Sequence, residues 1–187
     1  KEECEMSEEL LQRGLDKNNP SERLGKWDYF CIGATTVKTL KQANIIRNID
    51  YKELENKKVD GLVVSRKDVI AIIEFKQPKE FKTKAQKSKA IEQEIEVAKV
   101  LGAKIIIATD TVDTIWVNAL TGKEIEYENG NIIKEQFVIN DSIAKLLEKI
   151  NYSINEKNNK ILPKKLVNPT DLAKSIWQDV WSVSGAT

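Results

Sequence analysis

Two runs of β-branched residues on either side of a short polar turn constrain this chain more than any other feature. They are Val59-Asp60-Gly61-Leu62-Val63-Val64 and Val69-Ile70-Ala71-Ile72-Ile73-Glu74-Phe75-Lys76, with Ser65-Arg66-Lys67-Asp68 between them. Valine and isoleucine fit the pleated, half-buried surface of a sheet, so the pattern predicts a hairpin that closes near Arg66 and Lys67. Residues two apart on a strand share a face, which points Glu74 and Lys76 the same way. Closure at residues 66 and 67 puts Asp60 on the partner strand close to Glu74. Two carboxylates and an ammonium then meet where the strands diverge. That set suits a hard divalent cation with a charged helper, the chemistry of phosphodiester cleavage.

The remaining patterns place this hairpin in a larger sheet. Residues 3–16 read as an amphipathic helix, broken at Asn18-Asn19-Pro20-Ser21. Trp27, Tyr29 and Phe30 make an aromatic cluster expected in the core. A short helix is expected over 36–43, a lead-in strand over Ile45–Asp50 and a loop over 51–58. Residues 85–101 carry Ile91, Ile95, Ala98 and Leu101 on one helical stripe and end at Gly102, a common C-terminal stop. Lys104-Ile-Ile-Ile-Ala-Thr109 is continuously apolar, as in a strand buried on both faces. Strands are expected again at 114–118, 124–127, 132–133 and 137–139, and a helix at 141–153. This order predicts an α/β fold, a mixed β-sheet flanked by helices. The polar stretch 155–168 reads as a linker, and a new helix starts at Pro169-Thr170-Asp171 with Leu172, Ile176, Trp177, Val180 and Trp181 along it. The expected division is 1–154, 155–168 and 169–187, the last being the start of a further region.

Composition narrows the chemistry. The chain has no histidine, which excludes Ser–His–Asp and Cys–His catalysis and histidine-bound zinc, and leaves Asp, Glu, Lys and Tyr. Lys+Arg 30 against Asp+Glu 29 gives a net charge of +1, so any nucleic-acid surface must be local. Lys79, Lys82, Lys84 and Lys87 supply one, immediately after the candidate site. Cys4 and Cys31, without a Cys-x-x-Cys, make neither a disulfide framework nor a zinc site, and the expected location is cytoplasmic. No apolar stretch approaches a membrane span, so no membrane partner is expected. Glu80-Phe81-Lys82 is a second acid–x–lysine triplet. It lacks a preceding apolar run and reads as loop.

Val59-Asp60, thirteen intervening residues and then Glu74-Phe75-Lys76 resembles the core of the PD-(D/E)xK nucleases. The helix with Ala90-Ile91-Glu92-Gln93, the strand after it and Ile115–Gly122 resemble the N-terminal nuclease domain of type I restriction subunits and of fused restriction–modification enzymes. Many such nucleases carry a glutamine on this helix followed four residues later by tyrosine. Gln93 matches the glutamine, and Val97 stands at the tyrosine position. Separately, Asn168 to Gly185 resembles the opening helix of the adenine methyltransferase region of fused (type IIG/IIB-like) enzymes.

The resemblance implies a restriction-endonuclease-like fold and Mg²⁺-dependent hydrolysis of double-stranded DNA, with Mn²⁺ as a substitute. It implies Asp60, Glu74 and the Phe75 backbone carbonyl as metal ligands, and Asp60, Glu74, Lys76 and Gln93 as catalytic residues. It also implies a methyltransferase and target-recognition region in the same polypeptide, and a dimer for double-strand cleavage. An acid from the first helix often joins such sites, and Glu8, Glu9 and Glu22 stay open as candidates. Three other readings stand beside this one: a structure-selective repair or junction nuclease of the same fold, a catalytically inactive nuclease-fold module that binds DNA or docks a protein, and a globular domain that does not act on nucleic acid.

Overall fold

The computed structural model describes residues 22–163. The first expected helix, Glu8, Glu9 and the tryptophan-bearing helix after 168 lie outside the described residues. The described part is a seven-stranded sheet whose spatial order follows chain order, β1 to β7. The strands are β1 (Glu22–Leu24), β2 (Trp27–Thr36), β3 (Lys58–Ser65), β4 (Asp68–Phe75), β5 (Ile105–Thr109), β6 (Thr114–Asn118) and β7 (Lys123–Glu124). Only β4 and β5 run parallel; all other neighbours are antiparallel. The sheet is thus mixed, as expected, and the crossover between β4 and β5 is a helix, the usual way to return a parallel strand.

The central hairpin forms where expected. Ser65 pairs with Asp68, and Arg66 and Lys67 between them have φ of 49° and 72°. Two left-handed residues match the two-residue turn whose twist suits flanking strands. Among the described residues three α-helices cover the sheet: α1 (Val37–Gln42), α2 (Lys84–Leu101) and α3 (Asp141–Ser153). Thr83 and Gln86 cap α2 reciprocally at its N-terminus, and Gly102, with φ of 79°, ends it.

Side-chain alternation sorts the core into two layers. Leu62, Val64, Ile72, Ile106 and Ala108 pack on one face with Val37 and Leu40 of α1 and Ala90, Ile91, Val97 and Ala98 of α2. Val63, Ala71, Ile73, Ile105, Ile107 and Trp116 face the other way, onto Ile143, Ala144, Leu147 and Ile150 of α3. Every residue of β5 is buried, as its continuous apolar run predicts for a central strand covered on both faces. Trp27, Tyr29, Phe30 and Trp116 are all core residues.

Three expectations change. Ile45–Asp50 is not a strand: Ile45 N–H donates to Leu40 O at 3.1 Å, which wraps the chain around the end of α1. Ile45 and Ile46 are both buried while Ile49 is exposed, so the alternation of a strand is missing. The stretch expected as a loop at 51–58 contains a 3₁₀ turn at Lys52–Asn56. The expected strands beyond β7 reduce to isolated bridges, although Ile133 and Phe137 are buried.

The polar stretch from 155 does not leave the fold at once. Buried Asn118 at the end of β6 donates through Nδ2 to Asn155 O at 2.9 Å and Asn159 Oδ1 at 2.9 Å. Ile161 N–H donates to Glu126 O at 2.9 Å, and its side chain is buried. The packed unit therefore runs past the expected boundary at 154. Among the described residues no helix is long and apolar enough to cross a membrane.

Candidate functional site

Asp60, Glu74 and Lys76 sit at the end of the β3–β4 hairpin opposite its turn. The last residues paired there are Gly61 and Ile73. One step beyond, Asp60 and Glu74 stand across from each other on strands that have begun to part. By alternation with Leu62 and Ile72, both side chains lie on the face covered by α2.

β4 keeps its other neighbour. Glu74 and Phe75 still pair with Ala108 and Thr109, and Lys76 N–H donates to Thr109 O at 2.9 Å. The acid–x–lysine segment is therefore held straight by β5 while β3 peels away. Phe75 N–H points to the vacated side, where Asp60 Oδ2 accepts it at 3.0 Å. A strand residue directs its N–H and C=O to the same edge, so the Phe75 carbonyl opens toward Asp60 as well. Gly61 sits in a tight place beside this junction. A Cβ there would lie 3.3 Å from the Ile73 Cβ and 3.5 Å from Phe30 O, between two strands that both pair with it.

The site is electrostatically crowded. Lys76 Nζ lies 3.3 Å from Glu74 Oε1, and both side chains are largely shielded from solvent. Burial, then the charges of Asp60 and Glu94, push the Glu74 carboxyl up to about 8, against the smaller opposing pull of Lys76. Crowding by burial and like charges makes ionised Glu74 costly, and a nearby positive charge offsets that cost.

Glu94 is the residue that sequence reasoning missed. It lies on α2, only 4 % exposed, with its Oε2 buried and without a hydrogen-bond partner. Burial raises its pKa, Lys57 opposes that rise most, and the charges of Asp60 and Lys76 also act on it. Gln93, expected in the site, is exposed on the side of α2 away from the core. The reason is helical phase. The buried positions are Ala90, Ile91, Glu94, Val97 and Ala98, so Glu94 and Val97 share the inner face and Gln93 falls outside it. A stripe drawn through 90, 91, 94, 97 and 98 has one charged member, and that was the available signal.

The other expected residues divide. Lys79, Lys82 and Lys84 are exposed just beyond the site. Lys87 is half-buried and engaged, 3.5 Å from Asp113 Oδ2 and 5.4 Å from the Phe81 ring centre. Glu22 is exposed on edge strand β1, two strands from Asp60. The second acid–x–lysine triplet is a 3₁₀ turn, Pro78–Glu80, followed by buried Phe81, so Glu80 and Lys82 merely flank a core anchor.

Asp60, Glu74 and the Phe75 carbonyl offer hard oxygen donors of the kind magnesium takes. Among the described residues no three Asp, Glu or Cys side chains are grouped tightly enough to hold a metal ion by themselves. A cation here would rest on two carboxylates, the carbonyl and water. That is how magnesium, which sheds its waters reluctantly, is commonly held. A cleft of about 400 Å³, lined by Arg47, Tyr51, Lys67, Asp68 and Lys104, lies at the turn end of the hairpin, away from these groups. Comparison with protein-family models, with curated proteins and with solved structures finds no match to this chain.

Proposed function

We propose that this chain carries a Mg²⁺-dependent endonuclease of restriction-endonuclease-like fold, cutting double-stranded DNA as part of a restriction–modification enzyme. The observation that carries the reading is the convergence of Asp60, Glu74 and Lys76 at the open end of a hairpin whose Phe75 N–H is held by Asp60. The rise of the Glu74 pKa toward 8 supports it, because neighbouring carboxylates cause part of that rise and a bound divalent cation would relieve their repulsion. Asp60, Glu74 and the Phe75 carbonyl would hold the ion, with Mn²⁺ able to replace Mg²⁺.

When bound, such an ion polarises the scissile phosphate and makes its coordinated water more acidic. The chain's own groups supply the rest. Asp60, fixed by the Phe75 N–H, is oriented before substrate arrives. Lys76 sets a positive charge beside the phosphate, where it stabilises the charge that builds as water attacks phosphorus. The phosphorus–O3′ bond breaks, leaving a 5′-phosphate and a 3′-hydroxyl. Lys79, Lys82 and Lys84 follow directly and provide backbone contacts that carry no sequence information. Target recognition, methyl transfer and the pairing of two copies to cut both strands belong, in this reading, to the larger assembly.

The test is plasmid cleavage with and without Mg²⁺ by wild type, Asp60→Ala and Lys76→Ala, with folding checked by circular dichroism. Metal-dependent cutting that vanishes in both folded variants is the expected result. Variants that cut like wild type would remove the hairpin from the chemistry. A wild type that binds duplex DNA yet neither takes up Mg²⁺ nor cuts would favour the inactive module instead.

A further inference from the structure

The Lys76–Glu74 contact raises a difficulty within the nuclease reading, and this inference rests on that reading. One carboxylate cannot comfortably serve both a lysine ammonium and a divalent cation, because the two positive charges repel across it. Once Glu74 turns to a cation, Lys76 loses the partner that now lies 3.3 Å from it. A half-buried ammonium without a partner is costly and poorly aimed.

Glu94 supplies what is missing. Its Oε2 is buried and unpartnered, although a buried carboxylate oxygen is almost always hydrogen-bonded. It sits on the inner face of α2, over the same sheet face as Asp60 and Glu74, and the charges of Asp60 and Lys76 both reach it. Asp60, Glu74 and Glu94 do not form a three-acid group that could hold a metal ion. We infer that Glu94 is a positioning residue that takes over the Lys76 ammonium when Glu74 engages a divalent cation, and so keeps Lys76 aimed at the phosphate. Lys57, the strongest positive influence on Glu94, helps to hold that carboxylate ionised while the exchange occurs.

The readout that tests this is the lysine-ammonium NMR signal of Lys76 during a Mg²⁺ titration, in wild type and in Glu94→Gln. In wild type the signal should shift as Mg²⁺ binds and stay protected from exchange. In Glu94→Gln it should broaden or vanish at the same Mg²⁺ occupancy, while Mg²⁺ affinity by calorimetry stays within about threefold of wild type. Cleavage should show a kcat lowered roughly 10- to 100-fold with KM little changed, the usual size of effect for a group that orients another. A Lys76 signal that responds identically in both proteins overturns the inference and leaves the nuclease reading intact. Loss of Mg²⁺ binding in Glu94→Gln also overturns it, since Glu94 would then be a ligand. A wild type that binds no Mg²⁺ removes the nuclease reading and this inference together. Glu94→Ala serves as a control for packing. It should reproduce the glutamine phenotype if folded, and its melting point reports the loss of side-chain volume separately.

Discussion

Replacing Glu74 with glutamine should change how stability depends on pH, in a direction that the site dictates. Glu74 has its folded-state pKa raised from 4.5 to about 8, so between those values the native protein binds a proton that the unfolded chain has released. Stability must then fall as pH rises through that window. At ~1.4 kcal/mol per pH unit, the full interval sets a ceiling of roughly 5 kcal/mol. Water entering the open end of the hairpin reduces this, and an effect of about 2 kcal/mol between about pH 5 and about pH 9 is expected. Glu74→Gln has no proton to lose at this position. Glu94 is the raised carboxyl that remains, so the variant's stability should fall less steeply than that of wild type. It should overtake wild type on the alkaline side. The assay is urea unfolding at several pH values in a chelating buffer, with the wild-type-minus-variant difference plotted against pH. The chain has no histidine, so the main competing titration in this window is absent. Adding Mg²⁺ at the alkaline end should restore the wild type and leave the variant unmoved. A difference that stays flat from acid to alkali would refute the crowded-carboxylate reasoning.

Three further outcomes are expected. Replacing Lys79, Lys82 and Lys84 together with alanine should weaken duplex binding and flatten the slope of log affinity against log salt by about 2 to 3; an unchanged slope would move the DNA path elsewhere. Gly61→Ala should cost ~1–3 kcal/mol, because the new Cβ has Ile73 and Phe30 O against it in a fully paired strand, and a melting point equal to wild type would contradict this. Asn118→Ala should cost ~2–3 kcal/mol by stranding the Asn155 carbonyl and Asn159 that it holds, and protease cutting should appear first near residue 155. Resistance there would mean that other contacts hold the segment.

Legibility followed the length and regularity of each signal. The β3–β4 hairpin declared itself because β-branched runs and a polar turn agree on one register, and that register alone brings Asp60 beside Glu74. Helix α2 was plain from its length and from Gly102. Its phase was legible as well: the stripe through Ile91, Ile95, Ala98 and Leu101 turns Glu94 inward and leaves Gln93 outside, and Gln93 entered only through the family resemblance. The Ile45–Asp50 stretch misled because apolar content alone does not separate a strand from a chain wrapping a helix end; the backbone bond from Ile45 to Leu40 decides. The stretch from 155 misled for the opposite reason. It is polar, but its asparagines satisfy a buried amide on β6, a role that composition does not reveal.

The order of the sheet has a consequence for how the protein is made. Because spatial order follows chain order, each new strand can add to an edge that is already finished as synthesis proceeds. The longest delay is the crossover from β4 to β5, whose eighteen-residue helix α2 must lie down before β5 can pair. Once Thr109 has emerged, Asp60, Glu74, Lys76 and Glu94 are all present with both flanking strands. The strands that follow widen the far edge, and α3 seals the opposite face. During that interval the edge of β5, buried along its whole length in the finished fold, is bare, and an edge of that kind invites pairing with another chain. A ribosome stalled shortly after residue 109 would therefore display a nearly complete site and a sticky border at the same moment.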